Sequence, residues 1–131
     1  MNAADSVLLD TTVVVAHFRK DESLAIRFKQ AAALYLPLVC LGELLYGTYK
    51  SLFQVKGQHQ IKEFLRICAV LLPDEQTAHH YARAKARLDK SGKPIPQNDL
   101  WIAAVALEHN LPLVTRDAHF SAVEGLSIFD W

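Results

Sequence analysis

Short apolar runs alternate with longer helical patterns along this chain, and no other feature restricts its fold as tightly. Val7-Leu8-Leu9, Leu34-Tyr35-Leu36, residues 69–72, Leu113-Val114-Thr115 and residues 126–129 each read as a short strand. Most of these runs lack polar alternation, the pattern of strands covered on both faces. Residues 22–33, 41–52, 61–67 and 98–109 have helical spacing, and Pro73-Asp74-Glu75 opens another helical pattern that lasts to Leu88. Residues 13–18 are apolar and rich in β-branched side chains, which favours strand by propensity alone. The capping residues Thr11 and Thr12 interrupt the run, so the first strand is placed to end at Asp10. Pro37 marks a helix start, and Ser91-Gly92-Lys93-Pro94-Ile95-Pro96 reads as a loop. Strands that alternate with helices predict an α/β fold: three layers, α/β/α, around a short, mostly parallel central sheet.

At 131 residues the chain suits a single domain, 1–131, large enough for a real core. Hydrophobic content of 51% against 21% charged excludes the disordered class. No apolar run approaches the roughly 20 residues a membrane helix needs, and residues 1–5 carry no basic segment or signal-like core. The 2 cysteines, Cys40 and Cys68, lie in apolar stretches without a disulfide framework, so the expected compartment is the reducing cytoplasm. Net charge is +0, from 14 basic and 14 acidic residues, so whole-molecule charge does not announce a nucleic-acid binder. The distribution says more: Arg83, Lys85, Arg87, Lys90 and Lys93 crowd into one stretch, while four acids stand at the ends of elements.

Those acids are Asp10, which ends Val7-Leu8-Leu9; Glu43, early in a helical pattern; Asp99, which opens one; and Asp117, which follows Leu113-Val114-Thr115 after Arg116. In open parallel sheets, ligands bind outside the carboxyl ends of the strands. The expected topology therefore brings the four together. A ring of carboxylates repels itself unless a cation fills it, which points to divalent-metal chemistry on phosphates. Each acid has a plainer role available: a helix cap for Asp10, dipole stabilisation for Asp99 beside a capping Asn98, a turn for Asp117, a solvated helix face for Glu43. Together at one sheet edge they favour a site, because unpaired buried carboxylates are costly.

Other features have structural readings. The 6 histidines are scattered, and the adjacent His79 and His80 do not face one metal on a helix. His119 closely follows the fourth acid and is the one histidine to watch, with a surface loop residue as the favoured reading; Trp101 reads as core packing, and the 83–93 basic stretch as a solvated face with RNA phosphate binding as the functional alternative. Phe18, Leu45, Tyr46 and Tyr49 read as exposed apolar residues on the early helices, forming a partner groove or a dimer seam, with core packing as the plainer reading.

Leu8-Leu9-Asp10-Thr11-Thr12, Leu41-Gly42-Glu43-Leu44 with Gly47, Asn98-Asp99-Leu100-Trp101-Ile102-Ala103-Ala104 and Leu113-Val114-Thr115-Arg116-Asp117-Ala118-His119-Phe120 together resemble the PIN domain. More narrowly they resemble the VapC-type toxins of toxin–antitoxin pairs. Order, spacing and length carry the resemblance, which covers essentially the whole chain. One departure is Thr12, where the family's first motif usually has Asn; a hydroxyl still hydrogen-bonds a carboxylate. The resemblance implies a single-strand-specific endoribonuclease dependent on Mg²⁺ or Mn²⁺. It implies Asp10, Asp99 and Asp117 as metal ligands, with Glu43 holding a second ion or orienting the attacking water. Thr11, Asn98 and Thr115 are the implied supporting residues, and Lys85, Arg87 and Lys90 the candidate RNA contacts. The implied partners are an RNA substrate, a VapB-type antitoxin and a second copy of the chain. A PIN-type nuclease of RNA processing and a non-catalytic RNA- or protein-binding module are the alternatives. Absence of a second acid at position 12 argues against a phosphatase that uses a nucleophilic Asp.

Overall fold

The first strand, β1 (Ser6–Leu9), carries Val7, Leu8 and Leu9 at 0% exposure. Successive strand side chains point to opposite faces, so three fully buried neighbours need cover on both sides. In the computed structural model, which describes residues 5–131, that cover is six helices around one sheet. The expectation of no leader segment rests mostly on residues 1–4, outside the described residues. The strands β2 (Ala33–Pro37), β3 (Ala69–Leu71), β4 (Leu113–Val114) and β5 (Ile128–Phe129) join β1 in the order β3-β2-β1-β4-β5. Every pair is parallel, so the sheet is parallel throughout. The chain steps outward from β1 to β2 and β3, then crosses back to place β4 and β5 on the other side. This reversal makes the carboxyl ends of β1 and β4 the topological switch point, where such sheets open a crevice.

The helices are α1 (Thr11–Phe18), α2 (Glu22–Gln30), α3 (Leu38–Lys50), α4 (Gln54–Phe64), α5 (Glu75–Ser91) and α6 (Gln97–His109). The break after β1 falls at Asp10, as the capping residues imply. The helix expected over 22–33 ends at Gln30, the strand expected over 126–129 is only Ile128–Phe129, and two helix starts fall well before the periodicity. The helix expected over 41–52 starts at Leu38, directly after Pro37. The helix expected over 61–67 runs from Gln54 to Phe64, because its first two turns are polar and show no apolar stripe. Packing holds those turns: a Cβ on Gly57 would lie 2.9 Å from Thr48 Cγ2, so glycine is what lets α4 approach α3. Tertiary contact overrides the low helix propensity of glycine here.

Local chemistry sets other ends. Asp74 and Thr77 form a capping box at the start of α5, and Gly92 at φ +66° ends that helix. Thr77 Oγ1 donates to Glu108 Oε1 at 2.5 Å, and Gln97 contacts the Tyr81 hydroxyl. These pairs run α5 and α6 antiparallel and carry residues 83–93 towards the N-terminal end of α6. Trp101 is half-buried and not a core residue: its ring stacks on Tyr81 at 4.0 Å between centroids.

A second cluster lies under α1, where His17 packs 4.9 Å from the Phe28 ring and 5.6 Å from the Phe64 ring. Its Nδ1 is buried without a hydrogen-bond partner. Burial lowers the His17 pKa from its ordinary 6.5. As pH falls through that value, the unfolded chain takes up the proton and the folded chain resists it, so stability drops. Urea unfolding at pH 7.5 and 5.5 should therefore show a larger acid-side loss of midpoint in the wild type than in His17→Phe. Equal losses in the two proteins would remove His17 as the cause.

Candidate active site

Asp10 leaves the end of β1 only 3% exposed. It occupies the N-cap position of α1 yet makes no side-chain cap bond. Instead its Oδ2 accepts from Thr12 Oγ1 at 2.8 Å and from Thr115 Oγ1 at 2.7 Å. Thr115 directly follows β4, so one carboxylate bridges the two strands of the switch point. Its main chain does the same, since the Asp10 N–H donates to the Val114 carbonyl at 3.0 Å.

Asp99 comes from the first turn of α6 and Asp117 from the turn after β4. Their side chains are 15% and 29% exposed. Burial, first, and then the charges of Asp117 and Asp10 raise the Asp99 pKa above its ordinary 3.8; the His119 imidazole beside it pulls the other way. Three carboxylates thus feel one another in a partly dry crevice. His119, the expected surface loop residue, is exposed but belongs to the cluster. Its Nδ1 lies 3.0 Å from Asp117 Oδ1 and 3.4 Å from Asp99 Oδ2. Asp117 Oδ1 also accepts from the His119 main-chain N–H at 2.9 Å, and this bond opens the short 3₁₀ helix Ala118–Ala122. An Asp followed by His two residues on, in a turn after a strand, was the available sequence signal.

Glu43, in the second turn of α3, is held at both oxygens. Thr11 Oγ1 donates to Oε1 at 2.7 Å, and Asn98 Nδ2 makes a long 3.4 Å bond to Oε2. Since Thr11 adjoins Asp10 and Asn98 adjoins Asp99, this second group borders the first. The four acids, Thr11, Asn98 and Thr115 therefore gather at one edge. Lys85, Arg87 and Lys90 lie outside this hydrogen-bonded group, exposed on α5; Lys85 Nζ sits 4.0 Å from Asp89.

Arg116 plays a part that its sequence position did not reveal. Its guanidinium donates to Asp21 Oδ2 at 2.7 Å and to the Trp131 carbonyl at 3.1 Å. With the Ser23 hydroxyl first and Arg116 next, these partners hold Asp21 down to about 2. The turn between Thr115 and Asp117 is thereby tied to the start of α2.

The donor set fits a hard divalent cation. Ligand atoms of Asp99, Asp117 and His119 all lie within 4.8 Å of one another, and Asp10 adds its charge to theirs. Carboxylate oxygens suit Mg²⁺ and Mn²⁺ alike.

A PIN-domain family profile matches residues 7–126. The chain belongs to the PIN-domain family. This PIN domain is 30% identical over 129 residues to ribonuclease VapC1 of Haemophilus influenzae, spanning 95% of this chain and 96% of that protein. It is 30% identical over 127 residues to the tRNA(fMet)-specific endonuclease VapC of Salmonella typhimurium, with the same coverage of 95% and 96%. In structure, the PIN domain superposes on a chain of DNA-bound VapBC from Salmonella typhimurium with a TM-score of 0.92 and 28% identity, covering 98% of each chain.

Proposed function

We propose that this PIN domain is a metal-dependent endoribonuclease and the toxin of a VapBC-type toxin–antitoxin pair. One observation carries the reading: ligand atoms of Asp99, Asp117 and His119 lie within 4.8 Å of one another at the switch point where β1 ends in Asp10. The names of the relatives, ribonuclease and endonuclease, support the choice of RNA. Asp99 and Asp117, with His119 within reach, share one position for Mg²⁺ or Mn²⁺, and Asp10, whose charge acts on Asp99, completes the proposed ligand set. Such a cation, when bound, polarises a phosphoryl oxygen and acidifies a water towards neutrality. Glu43, its two oxygens fixed by Thr11 and Asn98, would hold a second ion or orient the attacking water. Lys85, Arg87 and Lys90 hold flanking phosphates at the end of α6 that presents Asp99. The free thiols of Cys40 and Cys68 suit a reducing cytoplasm.

The partners follow from exposed apolar surface. Tyr46, Tyr49, Leu52, Phe53 and Val55 are 63%, 65%, 95%, 72% and 84% exposed. Phe18 and Leu45, expected among them, are half-buried instead, and Phe18 meets Phe64 edge to face. A groove of about 250 Å³ between α1, α3 and α4 is lined by Phe18, Leu44, Phe53 and Ile61 and opens onto Thr11 and Glu43. It suits an amphipathic antitoxin helix whose Arg enters the acidic crevice. A separate apolar cavity under Pro37, Val39, Pro73 and Trp101, with Leu38 and Leu72 exposed nearby, suits a seam with a second copy.

Purified protein should cut single-stranded RNA with Mg²⁺ or Mn²⁺ and stop when the cation is chelated. Cleavage that persists in excess chelator overturns the metal reading. In cells, expression alone should arrest growth, and co-expression of the neighbouring antitoxin frame should relieve it. Light scattering should report a mass near twice the 14.7 kDa of the chain. A strict monomer at micromolar concentration refutes the seam and leaves the nuclease standing.

A further inference from the structure

We infer that the hydroxyls of Thr12 and Thr115 form a paired relay that locks the Asp10 carboxylate and the turn bearing Asp117 into one unit, which makes Thr12 a positioning residue for the cation. The relay deepens the metal-centre reading above and rests on it. Both hydroxyls donate to the same oxygen, Asp10 Oδ2. Both also accept: Thr12 Oγ1 from the main-chain N–H of Arg116 at 3.2 Å, and Thr115 Oγ1 from the N–H of Asp117 at 3.0 Å. A hydroxyl carries one proton. A backbone N–H occupies one lone pair of each hydroxyl, and in both threonines the proton faces Asp10.

Two consequences follow. Oδ2 takes both donors, so Oδ1 is the oxygen that Asp10 offers to a cation. Consecutive N–H groups of the 116–117 turn are also tied, through one hydroxyl each, to a single carboxylate oxygen. Asp117 therefore does not shift relative to Asp10 without breaking a hydrogen bond. The outer side of the turn is anchored independently by the Arg116 guanidinium on Asp21 and Trp131. Thr115 is 4% exposed and belongs to the core, whereas Thr12 is exposed. Thr12 is thus the arm that can be altered without opening the interior. Its chemistry requires one acceptor and one donor on a short side chain, which serine supplies and valine does not.

The test is Mn²⁺ titration of the purified protein followed by thermal unfolding, a readout of binding without turnover. Wild type should gain Tm with Mn²⁺. Thr12→Val should need about tenfold or more Mn²⁺ to reach half its gain, in line with the usual effect of removing a partner of a metal ligand. Thr12→Ser should match wild type. Thr12→Ala stands in if valine is not accommodated. A merely structural threonine would lower the Tm of the metal-free protein and leave the Mn²⁺ midpoint in place. A Thr12→Val midpoint within twofold of wild type overturns the relay while the metal centre stands. A wild-type Tm that ignores both Mn²⁺ and Mg²⁺ overturns the metal centre and the relay together.

Discussion

Asp99→Asn should reduce metal-dependent RNA cleavage by about 10²–10³-fold, the loss typical when one electrostatic partner of a transition state is removed. The same change should stabilise the metal-free protein. Asp99 sits 15% exposed among Asp10, Asp117 and His119. Burial and its two acidic neighbours raise its pKa, so ionisation costs more in the folded chain than in the unfolded one. The sign follows from proton counts. Above the ordinary carboxylate pKa, the folded state retains the Asp99 proton longer than the unfolded state, so stability falls as pH rises through that window. Asparagine is neutral and close in shape, and it escapes this cost. The Tm advantage of Asp99→Asn should therefore widen from acid towards neutral pH. Mn²⁺ should reverse the ranking, because it stabilises only the protein that binds it. Undiminished cleavage by a carefully purified Asp99→Asn protein would falsify the assigned role. A lost activity accompanied by a lower metal-free Tm would instead mark Asp99 as a structural residue.

Replacing Lys85, Arg87 and Lys90 together with glutamine should weaken RNA binding and flatten its salt dependence. Each phosphate contact to a single strand contributes roughly 0.7 to the slope of log affinity against log salt, so three contacts account for about two units. The geometry supports a shared role: α5 runs antiparallel to α6, and its basic half points towards the end of α6 that presents Asn98 and Asp99. The pairing of Lys85 with Asp89 at 4.0 Å, both exposed, is too weak to withhold that lysine from a phosphate. Catalytic-site geometry should be untouched, so cleavage at saturating RNA should persist while the apparent affinity drops. A wild-type salt slope in the triple variant would reduce the three residues to a solvated helix face.

The site was legible to unequal degrees. Asp10 and Asp117 were legible because each ends an apolar run, and the carboxyl end of a buried strand is where such sheets bind ligands. Asp99 and Glu43 were legible from their places early in helical patterns. His119 was only half legible: its place two residues after Asp117 drew notice, but a histidine in a polar turn looks alike locally whether it faces solvent or two carboxylates. Arg116 was invisible for a similar reason: its partners, Asp21 and Trp131, lie far along the chain. The first turns of α4 were missed because residues 54–60 carry no apolar stripe and are held by the close approach of Gly57 to Thr48.

The sequence by itself determined the element types and the acids at their ends, since hydrophobic period, capping residues and turn chemistry act within a few residues of each other. It also determined that the sheet would be mostly parallel, because helices separate nearly every strand from the next. Only the tertiary structure decided the order β3-β2-β1-β4-β5, which makes β1 and β4 neighbours and puts Asp10 beside the turn of Asp117. Strand neighbours are chosen by contacts across the whole chain, between apolar runs that look alike locally. The use of one Asp10 oxygen by two threonines 103 residues apart in the chain, Thr12 and Thr115, depends on that choice and on side-chain direction, which no pattern of residue types encodes.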